Sequence, residues 1–383
     1  MTSADTLDAI ESLASTWSTD RADRMARRHL DRADFEALAE TGYLRLIVPR
    51  EHGGEWDSLA ETGPVIVDAV RRLARGDQSV ALVAAMHPAV VVFWTGAPEA
   101  PAPHTEAWRA QRAEVFRSAL DGHFWGTMTS EPGSGGDILK TKATATPIDA
   151  EAGRYSLHGQ KHFGSGSEVV SYMMTTAKPD GLDFPLGFYM DLRNQPWDGS
   201  GGLTITHRWD GVGMKATQSH GVLLDGVEGI AWAWPGSIAN TSAVAGALGL
   251  GLFVAVIESI VDAAMAEADA KLNGQNLRPY EEVEWTRAQV DHWLIRQASA
   301  GLVRSITTAP APIAALAAVK AKLGVAALAE ELLARVSKVV GGSAFSERSP
   351  FATWSQDVRA LGYLRPPWGL AFDQLIAARR SQA

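Results

Sequence analysis

Two stretches decide the fold: Trp125–Asp137, WGTMTSEPGSGGD, and Leu157–Ser167, LHGQKHFGSGS. The first reads as a strand end followed by a loop crowded with proline and glycine. Such a loop turns backbone N–H groups outward and suits an anionic or carbonyl-rich ligand lying against a sheet. The second sets an aromatic, Phe163, two residues before a hydroxyl, Ser165, among small neighbours. A flat ring system can stack on the phenyl group while the hydroxyl donates to its edge. Composition by itself favours reading both as ordinary glycine-rich turns of a β domain.

Around these stretches the sequence alternates apolar and polar residues. KATATPI, RYSLHG, SYMMTTA, LTITHRW and GVLLDGV follow one another with Gly, Pro, Asn and Asp at the joints. Period two at that spacing predicts an antiparallel, barrel-like β domain over residues 122–236, because parallel strands need crossover helices between them. Upstream, residues 1–121 carry apolar positions three and four apart, as in DFEALAETGYLRLIV and VIVDAVRRLA, and predict a helical domain. Downstream, residues 237–383 contain three long apolar-striped segments, enough for most of a four-helix bundle. The fold class expected is α+β, in the order helical, β, helical.

Hydrophobic residues make up 46% of the 383 residues and charged ones 21%, a globular balance. With 35 Lys and Arg against 44 Asp and Glu, the net charge of −9 argues against nucleic-acid or anionic-membrane partners held by net charge. There is no Cys, which excludes disulfide frameworks, thiolate metal sites, iron–sulfur clusters and cysteine nucleophiles. The ten His residues show no ligand spacing, so no metal site is expected. The stretch MTSADTLDAIESL has acids and no apolar core, so a cytoplasmic location without a secretory signal is expected. Ala243–Ile257 is uninterruptedly apolar or glycine. It falls short of the roughly 20 residues a spanning helix needs and reads as core, with Gly246, Gly249 and Gly251 letting backbones approach. Trp285, Trp293 and Trp354, at helical spacing, read as core as well.

No GxxxxGK[ST], GxGxxG after a strand, HExxH or GxSxG occurs, which leaves triphosphate, nicotinamide, zincin and serine-hydrolase readings without support. Beyond these general motifs, the chain resembles the acyl-CoA dehydrogenase superfamily, which also includes flavin-dependent monooxygenases. MTSEPGSGGD is similar to the family's TEPGAGSD loop and GQKHFGSG to its NGQKxWITN segment. VVGGSAF at Val339–Phe345 resembles the family's C-terminal glycine pair, and SQDVRALGYL at Ser355–Leu364 the RD-containing helix after it. The resemblance covers nearly the whole chain and implies the family's α–β–α architecture.

The resemblance implies FAD, or alternatively FMN, as cofactor. It places Thr127, Thr129 and Ser130 beside the flavin's pyrimidine edge, Phe163 against the ring and Ser165 near N5. Gly136 replaces a serine that contacts the pyrophosphate, next to the family's Asp at Asp137. Gly341 and Gly342 reach the adenosine half of FAD in a neighbouring subunit, and Lys338 stands where the family usually has Gln. A homodimer or homotetramer is implied with them. The family's Arg-and-Phe element for pyrophosphate and adenine has no clear counterpart in KLNGQNLRPYEEVEW.

In the dehydrogenases a Glu removes the α-proton of the acyl thioester. Its usual position falls here on Arg365 and its alternative near Ala239. A guanidinium keeps its proton, so Arg365 is suited to holding a carboxylate, phosphate or enolate instead. Three readings follow. The first is an acyl-thioester oxidoreductase whose base is Glu131, Asp357, Asp210 or Glu168, with an electron-transfer partner. The second is a two-component monooxygenase using reduced flavin, dioxygen and a flavin reductase partner; Phe163–Gly166 and His87 resemble that branch, although its C-terminal His is missing from YLRPPWG. The third is a silent subunit that completes a partner's flavin site. A His on an apolar helix, as His87 is, is more often a satisfied core histidine.

Overall fold

The computed structural model describes residues 2–381; Met1, Gln382 and Ala383, at the ends of the expected helical segments, lie outside the described residues. The chain opens with six helices, α1 (Ser3–Thr19), α2 (Arg21–Ala26), α3 (Arg32–Glu40), α4 (Leu59–Gly76), α5 (Gln78–Thr95) and α6 (Thr105–Leu120). Helix α5 is the buried axis of this part. Its N-cap Asp77 accepts from the Val80 N–H at 3.0 Å, satisfying a donor that the first turn leaves free. Within it, Pro88 has no N–H to offer the Ala84 carbonyl, and the Tyr43 hydroxyl donates there instead at 3.0 Å.

Seven strands follow: β1 (Trp125–Thr127), β2 (Thr144–Asp149), β3 (Arg154–Gly164), β4 (Tyr172–Pro179), β5 (Leu186–Asp191), β6 (Leu203–His207) and β7 (His220–Ala231). The order β4–β2–β3–β7–β5 closes back on β4, making a small barrel that leaves few free edges. Leu157, Met173, Phe188, Met190 and Val222 fill its interior. The barrel departs from the expected antiparallel pattern on one edge. Both β1 and β2 run parallel to β4, with Trp125 opposite Tyr172 and Thr144 opposite Lys178. No crossover helix is needed, because the β2–β3 hairpin itself turns the chain back and lets β4 return in the direction of β2.

Helices α7 (Ser237–Leu272), α8 (Pro279–Thr308), α9 (Ala311–Val340) and α10 (Pro350–Gly362) form the second helical part, with α11 (Trp368–Arg380) at its end. A Cβ on Gly251 would lie 3.2 Å from Val67 Cγ2 and 3.4 Å from Ile306 Cδ1, so this glycine does let α7 press against α4 and α8. By length and composition α5, α7 and α9 could each cross a membrane, but α5 and α7 are mostly buried within the fold. Trp354 is core, as expected. Trp293 is not: it faces outward from α8 with Val290 and Leu294, an apolar patch that helical spacing could not distinguish from an inner face.

Candidate functional site

Ser130 and Arg365 join the barrel to the C-terminal helices. The guanidinium Nη2 of Arg365 donates to Ser130 Oγ at 2.7 Å, across 235 residues of sequence. Ser130 also accepts, through its carbonyl, the His162 N–H at 2.8 Å, which ties it to the segment carrying Phe163 and Ser165. Behind the loop, Glu131 turns inward. Its carboxylate takes the ammonium of Lys161 at 2.5 Å, the Thr141 hydroxyl and the Lys142 N–H at 2.6 Å. Burial alone would raise Glu131, but these partners hold its carboxyl below the ordinary value. Lys161 is fully buried. Burial pulls it down, while Glu131 opposes that shift.

The turn bearing Arg365 has its own anchor. Lys322 of α9 is fully buried and donates to the Gly362 carbonyl and, at 3.2 Å, to that of Pro366. Its ammonium stands 5.4 Å from the centre of the Trp368 ring, so that tryptophan anchors the tail. Burial lowers the Lys322 pKa to about 8. Arg365 itself is lowered to about 10 by burial, against the pull of Asp137, and stays cationic at neutral pH. Pro367 packs on the glycine loop: a Cβ on Gly136, already at φ +85°, would meet Pro367 Cδ at 2.8 Å.

Phe163 sits at φ +58°, which a bulky residue rarely adopts, where the β3–β7 register slips between Lys161 and Gly164. The bulge breaks the alternation and leaves the ring 60% exposed, edge-on to Trp209 at 6.1 Å. Strain of this kind persists where the surroundings hold it and clusters at ligand sites. Beside it, the buried Ser165 hydroxyl lies 2.8 Å from Ser219 Oγ, and Ser219 lies 2.7 Å from Thr217 Oγ1. Thr217 donates to the Met214 carbonyl at 2.9 Å, and the Met214 N–H donates to Asp357 Oδ1 on α10 at 2.6 Å. Met214 and Gln218 also have left-handed backbones, at φ +50° and +48°. A continuous polar chain therefore runs from α10 to the tip of the bulge.

No protein-family model matches the chain. A dibenzothiophene monooxygenase of Mycolicibacterium goodii is 29% identical over 220 residues, 56% of this chain and 48% of that protein. One of Rhodococcus qingshengii is 28% identical over 218 residues, 54% of this chain and 45% of that protein. The chain thus spans about half the length of the curated relatives it matches. Among solved structures, FMN-bound dibenzothiophene monooxygenase of Paenibacillus superposes with a TM-score of 0.77 at 19% identity, over 96% of this chain and 95% of that one. Butyryl-CoA dehydrogenase of Megasphaera elsdenii gives 0.78 at 16% identity, over 97% and 96%. The chain has an acyl-CoA dehydrogenase-like fold.

Within this acyl-CoA dehydrogenase-like fold, Arg365 meets Ser130, Pro367 packs on Gly136, and the His162 N–H ties to Ser130 the segment that carries Phe163 and Ser165; Thr127 ends β1 and the buried Thr129 follows it just before Ser130. Lys338, Gly341 and Gly342 lie apart from them, at the C-terminal end of α9. Lys338 pairs with Glu284 at 3.2 Å, and a Cβ on either glycine would meet no atom within 4 Å. The reading of His87 as a catalytic group is corrected. It is fully buried; its Nδ1 accepts from the Trp125 N–H at 3.2 Å and its Nε2 faces the Leu44 carbonyl at 3.4 Å. Burial lowers it to about 3, leaving a neutral core histidine with both nitrogens engaged.

Of the four acids weighed as bases, three are engaged. Glu131 is locked by Lys161, and Asp357 is buried against Met214. Glu168 accepts from Gln218 at 2.8 Å and faces His220 Nε2 at 3.0 Å; Asp210 is solvent-exposed beside His207. Lys161, Thr217, Ser219 and Lys322 escaped sequence reading. A lysine at an inward position of β3 was the one available signal, and it named no partner. Among the described residues no group of three or more His, Asp or Glu is placed to hold a metal ion.

Proposed function

We propose that this chain is a flavin-dependent oxidoreductase, and more specifically a two-component monooxygenase using reduced FMN and dioxygen, supplied by a separate flavin reductase. The observation that carries the choice over the acyl-thioester reading is that Glu131, Asp357, Glu168 and Asp137 each already hold a hydrogen-bond partner within the fold. Asp137 caps the turn at Leu139, accepting its N–H at 3.0 Å. A base must reach the proton it removes. The dibenzothiophene monooxygenases among the relatives and the FMN-bound neighbour support the same choice. The acyl-thioester reading stays second, favoured by the likeness to butyryl-CoA dehydrogenase and by the Arg365 guanidinium beside Ser130, a cation suited to holding an enolate.

The residues present fit a flavin. An outward phenyl ring, a nearly buried hydroxyl with one open side and a guanidinium suit a flat heteroaromatic ring with a polar edge. In this reading Phe163 supports the ring, Ser165 meets the N5 edge, and Thr127, Thr129 and Ser130 line the pyrimidine edge. Gly136 keeps the loop close against Pro367. Reduced flavin and dioxygen would supply one oxygen atom to the substrate and release the other as water. Arg365 would orient an anionic or carbonyl group. Lys338, Gly341 and Gly342 would serve a neighbouring copy in a homodimer or homotetramer, an assembly that the outward Val290, Trp293 and Leu294 of α8 support.

Two variants test the assignment. Ser165→Ala should alter the reactivity of bound flavin while leaving the unfolding midpoint in place; an unchanged flavin spectrum and turnover would remove Ser165 from the site. Arg365→Ala should raise KM about 10–100-fold, the usual cost of losing a charged hydrogen bond, and leave kcat less affected. An unaltered KM would take Arg365 out of substrate binding.

A further inference from the structure

We infer that Thr217 and Ser219 are positioning residues that fix the direction of the Ser165 hydroxyl, so that Ser165 meets its ligand as a hydrogen-bond acceptor and fits an edge carrying an N–H. This rests on the flavin reading above. It adds that the site prefers reduced flavin, which bears a hydrogen at N5, over oxidised flavin, which presents only a lone pair there.

The direction follows from counting protons. Each of the three hydroxyls has one hydrogen to give, and all three are buried: Ser165 is 7% exposed, Ser219 7% and Thr217 0%. Thr217 Oγ1 lies 2.9 Å from the Met214 carbonyl, which can only accept, so the threonine proton goes there. Ser219, 2.7 Å from Thr217 Oγ1, must then donate to it. Ser165, 2.8 Å from Ser219, must in turn donate inward. The outward side of Ser165 Oγ is left with a lone pair.

Reversing the chain forfeits a bond. If Ser165 turned its proton outward, Ser219 would donate to Ser165 and Thr217 to Ser219, and the Thr217–Met214 bond would be lost. The Met214 carbonyl would keep the Trp209 indole N–H at 2.9 Å, so reversal is possible but leaves one bond fewer inside. A ligand with an N–H adds a fourth bond to the inward arrangement; a ligand with only a lone pair merely restores the count to three. One hydrogen bond of difference corresponds to about 5–10-fold in affinity. The chain is held from behind, because Met214, its terminal acceptor, is fixed through its N–H by Asp357.

Anaerobic titration with FMN, oxidised and dithionite-reduced, tests this by the ratio of the two dissociation constants, or equivalently by the midpoint potential of bound FMN. Thr217→Val keeps the shape and removes the terminal donor, freeing Ser219 to donate to Ser165 and Ser165 to donate outward. The expected result is a ratio shifted about 5–10-fold toward oxidised FMN, with Thr217→Ser restoring the wild-type value. Ser219→Ala, which cuts the chain at its middle, should shift the ratio the same way and serves if the valine variant folds poorly. Both forms binding with an unshifted ratio in Thr217→Val and Ser219→Ala would overturn the inference while leaving the flavin reading intact. If neither form of FMN binds the wild-type protein, the flavin reading fails and this inference falls with it.

Discussion

Replacing Lys161 with methionine should destabilise the fold by roughly 3–5 kcal/mol, because it strands the Glu131 carboxylate without its buried counter-charge. The pair is closed off from solvent, with side chains 0% and 3% exposed and the ammonium 2.5 Å from the carboxylate. The Thr141 hydroxyl and the Lys142 N–H remain for Glu131, but two dipoles do not balance a full charge. Glu131→Gln should cost a similar amount by stranding the lysine. The double variant should recover most of the loss, since a neutral pair of similar volume needs no counter-charge. Urea unfolding of the four proteins checks this cycle; a loss under about 1 kcal/mol for Lys161→Met would mean that the pair holds little of the fold. Ser130, the contact of Arg365, is the residue next to Glu131, so weakening the pair should also loosen the site.

The second large effect is a dependence of stability on pH set by Asp357. Burial raises its carboxyl from 3.8 to about 7, against the opposing pull of the Met214 N–H. The charged groups facing it are Arg24, Arg27, Asp77 and Lys215, around a cavity of about 20 Å³ at the junction of α2, α5 and α10. With the folded value above the unfolded one, the native state binds the extra proton between the two. The contribution of Asp357 to stability is therefore complete below about pH 4, falls as pH rises toward 7 and is level above, a total of about 4 kcal/mol. Asp77, also raised by burial, adds a slope of the same sign. Asp357→Asn keeps an acceptor for Met214 and should flatten most of the fall between pH 4.5 and 7.5. Urea midpoints across that range that fall equally in both proteins would assign the dependence elsewhere.

How legible the site was depends on how local its signals are. The change from three-and-four spacing to alternation marked the helical and β segments, because burial of one helix face or one strand face leaves a period in the sequence. Alternation says nothing of strand direction, and so the parallel seating of β1 and β2 on β4 was missed. Phe163 and Ser165 were visible as an aromatic and a hydroxyl among glycines, but the bulge that turns Phe163 outward appears only in the register with β7. His87 on its apolar helix leaned toward core in the sequence and was a catalytic candidate only through resemblance; the Trp125 N–H and the Leu44 carbonyl at its two nitrogens agree with the core reading. Thr217 and Ser219 stand in KATQSHG, which matches no motif, and their meaning comes wholly from Ser165 lying across the barrel edge.

The measurement that bears most directly on the monooxygenase reading is an anaerobic one. The purified protein is mixed with reduced FMN, separated from free flavin and then exposed to oxygen while the flavin spectrum is followed. A parallel sample holding oxidised flavin receives a panel of acyl-CoAs without oxygen. Tight binding of reduced FMN, reoxidation slower than that of free flavin and no bleaching by any thioester are the results predicted. Bleaching of the oxidised flavin by an acyl-CoA would contradict the monooxygenase reading and establish a dehydrogenase whose base is one of the acids now found engaged.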